Sequence, residues 1–215
     1  MTDATDTPDF DERYWERHWT ESRDAASSSH AGPAPHPYLA RETADLTPGT
    51  ALDAGSGAGE EAIWLAAQGW HVTAADISAS ALARASARAD GESVSDRVTW
   101  VQADLTTWEP PHPFDLVTSS YAHAAMPQLA FYQRIAEWVT PGGTLLIVGH
   151  RHDAASAGPT HGPAEAEVTL ADIVGGLDPA RWHIETAEEY NRIPPQSGDG
   201  AHPLHDVIVR ATRLP

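Results

Sequence analysis

Asp53, Gly55, Gly57 and Gly59 occupy alternate positions in "LDAGSGAGEE", and a second acid, Asp76, follows in "VTAADIS". Glycines at this spacing let a backbone bend tightly and approach a ligand with no Cβ in the way. A carboxylate about 20 residues beyond such a bend is placed to accept from two ribose hydroxyls. A dinucleotide, a phosphate and a methyl-donor nucleoside are the ligands to weigh. The dinucleotide fingerprint G-x-G-x-x-G fails, because the third glycine counted from Gly55 falls on Glu60, and Gly57 is followed by Gly59, Glu60, Glu61 and Ala62. A phosphate loop needs a lysine, and the chain has none.

Charge separates the remaining ligands. Glu60 and Glu61 crowd the start of the next helix, where they complement its dipole but repel a pyrophosphate. S-adenosyl-L-methionine carries no phosphate; its sulfonium and ammonium are cations that acidic surroundings welcome. On this reading Asp53 reaches the amino acid portion, directly or through water. The loop Gly55, Ser56, Gly57 and Gly59 cradles the ligand, and Asp76 takes the ribose. Ile77 lies against the adenine face. In "VQADL", Asp104 accepts from the exocyclic amine, with Ala103 and Leu105 packing nearby. Asp76 alone does not discriminate, since nicotinamide dinucleotides use the same contact.

The elements that must hold these residues follow from hydrophobic periodicity. "TALDAG", "HVTAAD", "VTWVQAD", "FDLVTSS" and "TLLIVGH" read as strands. "EEAIWLAAQG", "SASALARASARA" (Ser78 as N-cap) and "MPQLAFYQRIAEWV", ended by "TPGG", read as helices between them. Such alternation predicts an α/β fold, a parallel sheet with helices on both faces. "LADIVGGL" is a further short helix. "WHIETAEEYNRI" and "HDVIVRATRL" read as a closing antiparallel pair. Upstream, "FDERYWERHW" places Phe10, Tyr14, Trp15 and Trp19 on one face of a short helix, a lid over the ligand or packing onto the sheet edge. "HPYLARETADL" is a second helix, and residues 20–35 form a Ser/Ala/Gly/Pro loop. One domain is expected over 1–215. Residues 1–49 give N-terminal helices and a lid loop, 50–150 the cofactor core, and 151–215 substrate loops and closing strands.

Composition narrows the chemistry. Without cysteine there is no disulfide, thiolate metal site or thiol nucleophile; without lysine there is no Schiff base. The formal net charge of -18 disfavours phosphate backbones and anionic lipid. No apolar run approaches a membrane span, and the acidic start "MTDATDTPDFDER" lacks the blocks of a signal peptide. A cytoplasmic location is expected, with no nucleic-acid or membrane partner.

Residues 50–150 resemble a class I S-adenosylmethionine-dependent methyltransferase. "LDAGSGAG", "VTAADIS", "VQADL", "FDLVTSSYAH" and "PGGTLLIVG" stand in the order and spacing of that family, and "YWERHW" with "SSYAH" is similar to its small-molecule thiopurine and tellurite-resistance branch. The resemblance implies a Rossmann-like, seven-stranded, mostly parallel sheet with its last strand antiparallel. It also implies S-adenosyl-L-methionine as cofactor and a small-molecule methyl acceptor with an S, Se/Te, N or O nucleophile. Methyl transfer is an in-line displacement in which positioning and exclusion of water dominate. After the fourth strand, Ser119 is placed on the methionine side and Tyr121 as a wall with its hydroxyl near the sulfonium. His123 is the candidate base, or else a histidine at a helix start bonded to backbone. His150, His152 and Asp153 in "GHRHD" lack a third ligand, so no metal is expected there; they are polar loop residues able to line an acceptor pocket. Arg41 and Arg151 are candidate carboxylate contacts or solvated charges. The rival functions are a non-catalytic S-adenosylmethionine-binding protein and an NAD-dependent oxidoreductase.

Overall fold

The computed structural model describes residues 9–21, 35–150, 168–192 and 204–215. Its centre is a seven-stranded sheet in the order β3-β2-β1-β4-β5-β7-β6. The strands are β1 (Thr50–Ala54), β2 (His71–Asp76), β3 (Val98–Gln102), β4 (Phe114–Ser120), β5 (Val139–His150), β6 (Trp182–Arg192) and β7 (Leu204–Arg213). The first five pair in parallel, while β7 runs antiparallel to both β5 and β6. This is the Rossmann-like sheet that the strand and helix alternation predicts, closed by the expected antiparallel pair.

Among the described residues six α-helices accompany it: α1 (Glu12–Glu21), α2 (Leu39–Thr43), α3 (Glu60–Ala67), α4 (Ala79–Gly91), α5 (Gln128–Ala136) and α6 (Leu170–Gly175). Ser78 caps α4, its hydroxyl accepting from the Ala81 N–H at 3.2 Å. Helices cover both faces, so the central strands are apolar on both. Leu52, Leu145 and Ile147 enter one core with Phe131 and Ile135 of α5. Their strand neighbours Ala51, Leu146 and Val148 enter the other with Leu39 of α2 and Leu65 of α3. Each large aliphatic side chain so buried contributes about 1.5–3 kcal/mol relative to exposure.

Two boundaries differ from the sequence expectation. α5 ends at Ala136, and "VTPGG" already belongs to β5. Val139 pairs with Phe114, and a register shift lies between Phe114 and Leu116. The Pro-Gly-Gly run therefore marks an irregularity inside the strand pairing rather than a gap before it. α2 has only five residues, because the chain turns after Thr43.

Candidate active site

The C-terminal ends of β1, β2, β4 and β5 open into a cavity of about 650 Å3, within the usual ~300–1,000 Å3 of small-molecule sites. It sits where the strand order reverses between β1 and β4, the crevice where open α/β sheets bind ligands. Gly55, Ser56 and Gly57 line it from the β1–α3 loop, Asp76 and Ile77 from the end of β2, and Ala103, Asp104 and Leu105 from the end of β3. Tyr121 and His123 line it from the segment after β4. The structure thus brings most of the sequence-derived site residues to one opening.

Three of them do not reach the lining. Asp53 lies behind the loop at 1% exposure. Gly59 is the N-cap of α3 with φ +79°, and a Cβ there would stand 2.7 Å from the Trp100 ring and 2.8 Å from Ala85 Cβ. Gly59 therefore allows α3 to pack against α4 and β3, rather than a ligand to approach. Ser119 is buried, its hydroxyl donating to the Ala54 carbonyl at 3.0 Å. Its neighbour Ser120 takes the place on the lining.

The carboxylates set the electrostatics. Asp76 Oδ2 accepts from the Gly57 N–H and Oδ1 from the Ser78 N–H, each at 2.8 Å. The same side chain that faces the cavity therefore also shapes the glycine loop. Burial raises its pKa, opposed by those two N–H groups. Burial also pushes Asp53 well up, reinforced by the charges of Glu61 and Glu60. Glu61, accepting from the His36 N–H at 3.1 Å, is pushed up to about 6 chiefly by burial. Arg88 offsets Glu60 with an ion pair of 2.8 Å. A buried group of carboxylates costs free energy when ionised, and a cationic ligand relieves that cost.

Aromatic side chains close the other side. Phe10, Trp15 and Trp19 line the cavity, although α1 itself buries no residue. Glu16 holds the helix down by accepting from the Ser78 hydroxyl at 2.7 Å and the Ser80 N–H at 3.2 Å, with a further bond from the Ser80 hydroxyl. The Trp15 indole N–H donates to the His123 carbonyl at 3.1 Å, and the Phe10 and His123 rings stack at 5.1 Å. Trp19 lies against the glycine loop: at Gly57, with φ +50°, a Cβ would stand 2.8 Å from its ring. Tyr121 has φ +56°, a left-handed conformation costly for an aromatic residue. It is held there by its N–H bond to the Val148 carbonyl at 2.8 Å.

The group this opening fits is polar, cationic and partly aromatic. Among the described residues, the Ser56 and Ser120 hydroxyls on the lining and Asp53 Oδ2 behind the loop are buried with no hydrogen-bond partner. The two hydroxyl oxygens can accept from a ligand's donors, such as an ammonium or ribose hydroxyls. The lining contains Glu60, Glu61, Asp76 and Asp104 and, among the described residues, no arginine; a pyrophosphate has no counter-charge here. Arg41 is engaged elsewhere, with Glu42, Glu188 and Tyr190. Arg151, His152 and Asp153 lie outside the described residues, as does most of the proposed lid loop.

Fold and site together give an open α/β sheet with an acid-lined crevice suited to a cationic nucleoside. Residues 51–143 match the family described as "Methyltransferase domain". The chain is 28% identical over 165 residues to probable thiol methyltransferase 2 of Arabidopsis thaliana, covering 74% of this chain and 73% of that protein. It is 27% identical over 188 residues to thiocyanate methyltransferase 1 of the same plant, covering 86% and 80%. Among solved structures, magnesium protoporphyrin IX methyltransferase from Synechocystis PCC 6803 with bound SAH superposes with a TM-score of 0.71 at 17% identity, over 94% of this chain and 97% of that one. The match over residues 51–143 and the thiol and thiocyanate methyltransferase relatives support an S-adenosylmethionine-dependent methyltransferase with S-adenosyl-L-methionine as cofactor, on a fold shared with the SAH-bound neighbour. When bound, the cofactor supplies an electrophilic methyl on a sulfonium.

Two features of the site are not legible in the sequence as chemistry. Ser120 rather than Ser119 faces the cavity, a matter of one residue of strand register. His150 lines the cavity, as the sequence allowed, but as the last residue of β5 rather than as a loop residue, and its pairing with Asp206 on β7 is what the sequence does not show.

Proposed function

We propose that the chain methylates a small, neutral sulfur nucleophile, a thiol. The observation that carries this is the charge of the lining: four carboxylates, aromatic walls and, among the described residues, no arginine. Such a site favours the cationic cofactor and disfavours an acceptor that arrives as an anion. Sulfur fits the names of the two Arabidopsis relatives, a probable thiol methyltransferase and a thiocyanate methyltransferase; the acid-rich lining favours the first acceptor type over the second.

In this reading Asp76 takes the ribose hydroxyls, Glu61 the ammonium, and Ile77, Ala103 and Leu105 the adenine faces, with Asp104 at its edge. Gly55, Ser56 and Gly57 form the cradle, Asp53 adds its field from behind the loop, and Ser120 replaces Ser119 at the lining. Tyr121 and His123 wall the acceptor side, under an α1 lid. The acceptor is a freely diffusing small molecule rather than nucleic acid or anionic lipid, which a net charge of -18 repels. A panel of aliphatic and aromatic thiols, thiocyanate, iodide and primary amines, assayed by formation of the demethylated cofactor, tests the proposal. Thiols are expected to give the highest kcat/KM. A preference for thiocyanate or iodide, or turnover of amines alone, refutes it.

A further inference from the structure

A neutral thiol has to lose a proton. Of the four histidines that line the cavity (His18, His36, His123 and His150), His123 and His150 lie beside Tyr121 and the segment after β4, on the acceptor side. They are not equivalent. His123 Nδ1 bonds to Gln128 Oε1 at 2.8 Å, and the Gln128 amide is oriented by donating to the Ala122 carbonyl at 3.0 Å. This contact is to a neutral amide oxygen, which gives less to an imidazolium than a carboxylate does. His150 Nδ1 lies 3.0 Å from Oδ1 of Asp206, a carboxylate at 0% exposure. Oδ2 of the same carboxylate accepts from the Tyr38 hydroxyl at 2.9 Å.

The fold builds this chain of contacts deliberately. His150 and Asp206 are directly paired residues of antiparallel β5 and β7, so their side chains share a face. Tyr38 stands at the N-cap of α2, which is fastened to the closing strands: Thr186 donates to Glu42 at 2.8 Å, and Arg41 bonds Tyr190 and Glu188. Arg210 of β7 makes a two-pronged pair with Asp45 just beyond α2, at 2.8 and 2.9 Å. On its cavity side the His150 ring stacks on Tyr121 at 4.2 Å, the residue with the left-handed backbone. Among the described residues, Asp206 from β7 and Tyr121 from the segment after β4 face the imidazole, with Tyr38 and His36 one contact further out.

We infer that His150 is the general base for the acceptor, with Asp206 and Tyr38 as its positioning residues. The inference rests on the thiol reading above. With Nδ1–H donated to the carboxylate, Nε2 is the lone-pair nitrogen of the neutral ring. The acceptor's S–H proton passes to Nε2, and the sulfur forms a bond to the methyl carbon. The bond from that carbon to the sulfonium sulfur breaks, its electron pair remaining on that sulfur. Asp206 stabilises the imidazolium until the proton leaves to water. A hydrogen-bonded acid–base partner of this kind contributes about 100-fold or more in rate.

Two acceptors of similar shape separate the proton transfer from the displacement: 2-phenylethanethiol, which keeps its proton at pH 7, and thiophenol, which largely loses it. His150→Gln is expected to lower the ratio of their kcat/KM values, aliphatic over aromatic, by about 100-fold at pH 7. The ratio should recover as the pH approaches the ionisation of the aliphatic thiol. A second readout needs no turnover: adding 2-phenylethanethiol to wild-type protein with the demethylated cofactor raises the ultraviolet thiolate absorbance, and in the His150→Gln variant it does not. His150 is partly exposed, its side chain at 28%, so the glutamine is tolerable; Asp206→Asn and Tyr38→Phe shift the same ratio in the same direction if His150→Gln does not fold. An unchanged ratio and an unchanged thiolate band overturn the role of His150 while leaving the thiol reading intact. Failure of the wild-type enzyme to methylate either thiol refutes that reading, and the base falls with it.

Discussion

Replacing Asp76 by asparagine separates the cofactor contact from the shape of the loop. In the wild type both oxygens accept a backbone N–H, from Gly57 and Ser78 at 2.8 Å, while the residue still lines the cavity. An amide retains one acceptor oxygen. Its NH2 faces either the Gly57 or the Ser78 N–H, donor against donor, and one ribose hydroxyl loses a charged partner. A hydrogen bond to a charged group is worth about 1.5–3 kcal/mol, so one lost contact plus a weakened second gives about 2–3 kcal/mol. That is roughly 30- to 150-fold in Kd. Calorimetric titration with the demethylated cofactor reads this directly. The same titration with its 2',3'-dideoxy analogue isolates the ribose: removing the hydroxyls should weaken binding strongly in the wild type and little in the variant. Equal losses in both proteins would refute the ribose contact and reassign Asp76 to loop geometry alone.

Other residues give separate tests. Glu61 is pushed up to about 6 from 4.5 by burial, so ionising it costs the folded chain about 2 kcal/mol more than the unfolded chain. The folded state holds the extra proton between those values, so wild-type stability falls as pH rises through that window. Glu61→Gln, which does not titrate, should match wild type near pH 4 and exceed it by about 2 kcal/mol at pH 7.5 in urea unfolding; the cofactor's affinity should also rise through pH 6 in wild type and not in the variant. Gly59→Ala puts a Cβ 2.7 Å from Trp100 at φ +79°, and should lower the unfolding free energy by about 2–3 kcal/mol from strain and overpacking; an unchanged urea midpoint contradicts its packing role. Glu16→Ala removes the carboxylate that ties α1 to the start of α4. Hydrogen exchange in α1 should accelerate and the cofactor Kd rise several-fold, while α4 and the sheet stay protected.

The sheet was legible because its code is local. Consecutive residues Leu145, Leu146, Ile147 and Val148 are all apolar because both faces of the sheet are covered. The acids stand at or just beyond the ends of their strands and the glycines in the loop that follows β1. The cofactor side of the cavity follows from that order, since strand ends converge at the β1–β4 reversal. What sequence missed depends on distant pairing. Ser119 and Ser120 differ only in which way a strand residue points. Gly59 reads as part of a ligand cradle until Trp100 and Ala85 are seen against it. "TPGG" reads as a break until its pairing with β4 is known. His150 and Asp206 are 56 residues apart, joined only by the register of an antiparallel pair. Among the described residues no helix is long and apolar enough to cross a membrane, consistent with the even polarity of the sequence.

The most direct test of the account follows the methyl group itself. Cofactor carrying a trideuterated methyl is incubated at pH 7 with the enzyme and a neutral aliphatic thiol such as 2-phenylethanethiol, and the products are resolved by mass spectrometry. The account predicts the intact CD3 group on the acceptor's sulfur, with an equimolar amount of demethylated cofactor. Tight cofactor binding with the label on nitrogen, oxygen or a halide, and none on sulfur, would contradict it.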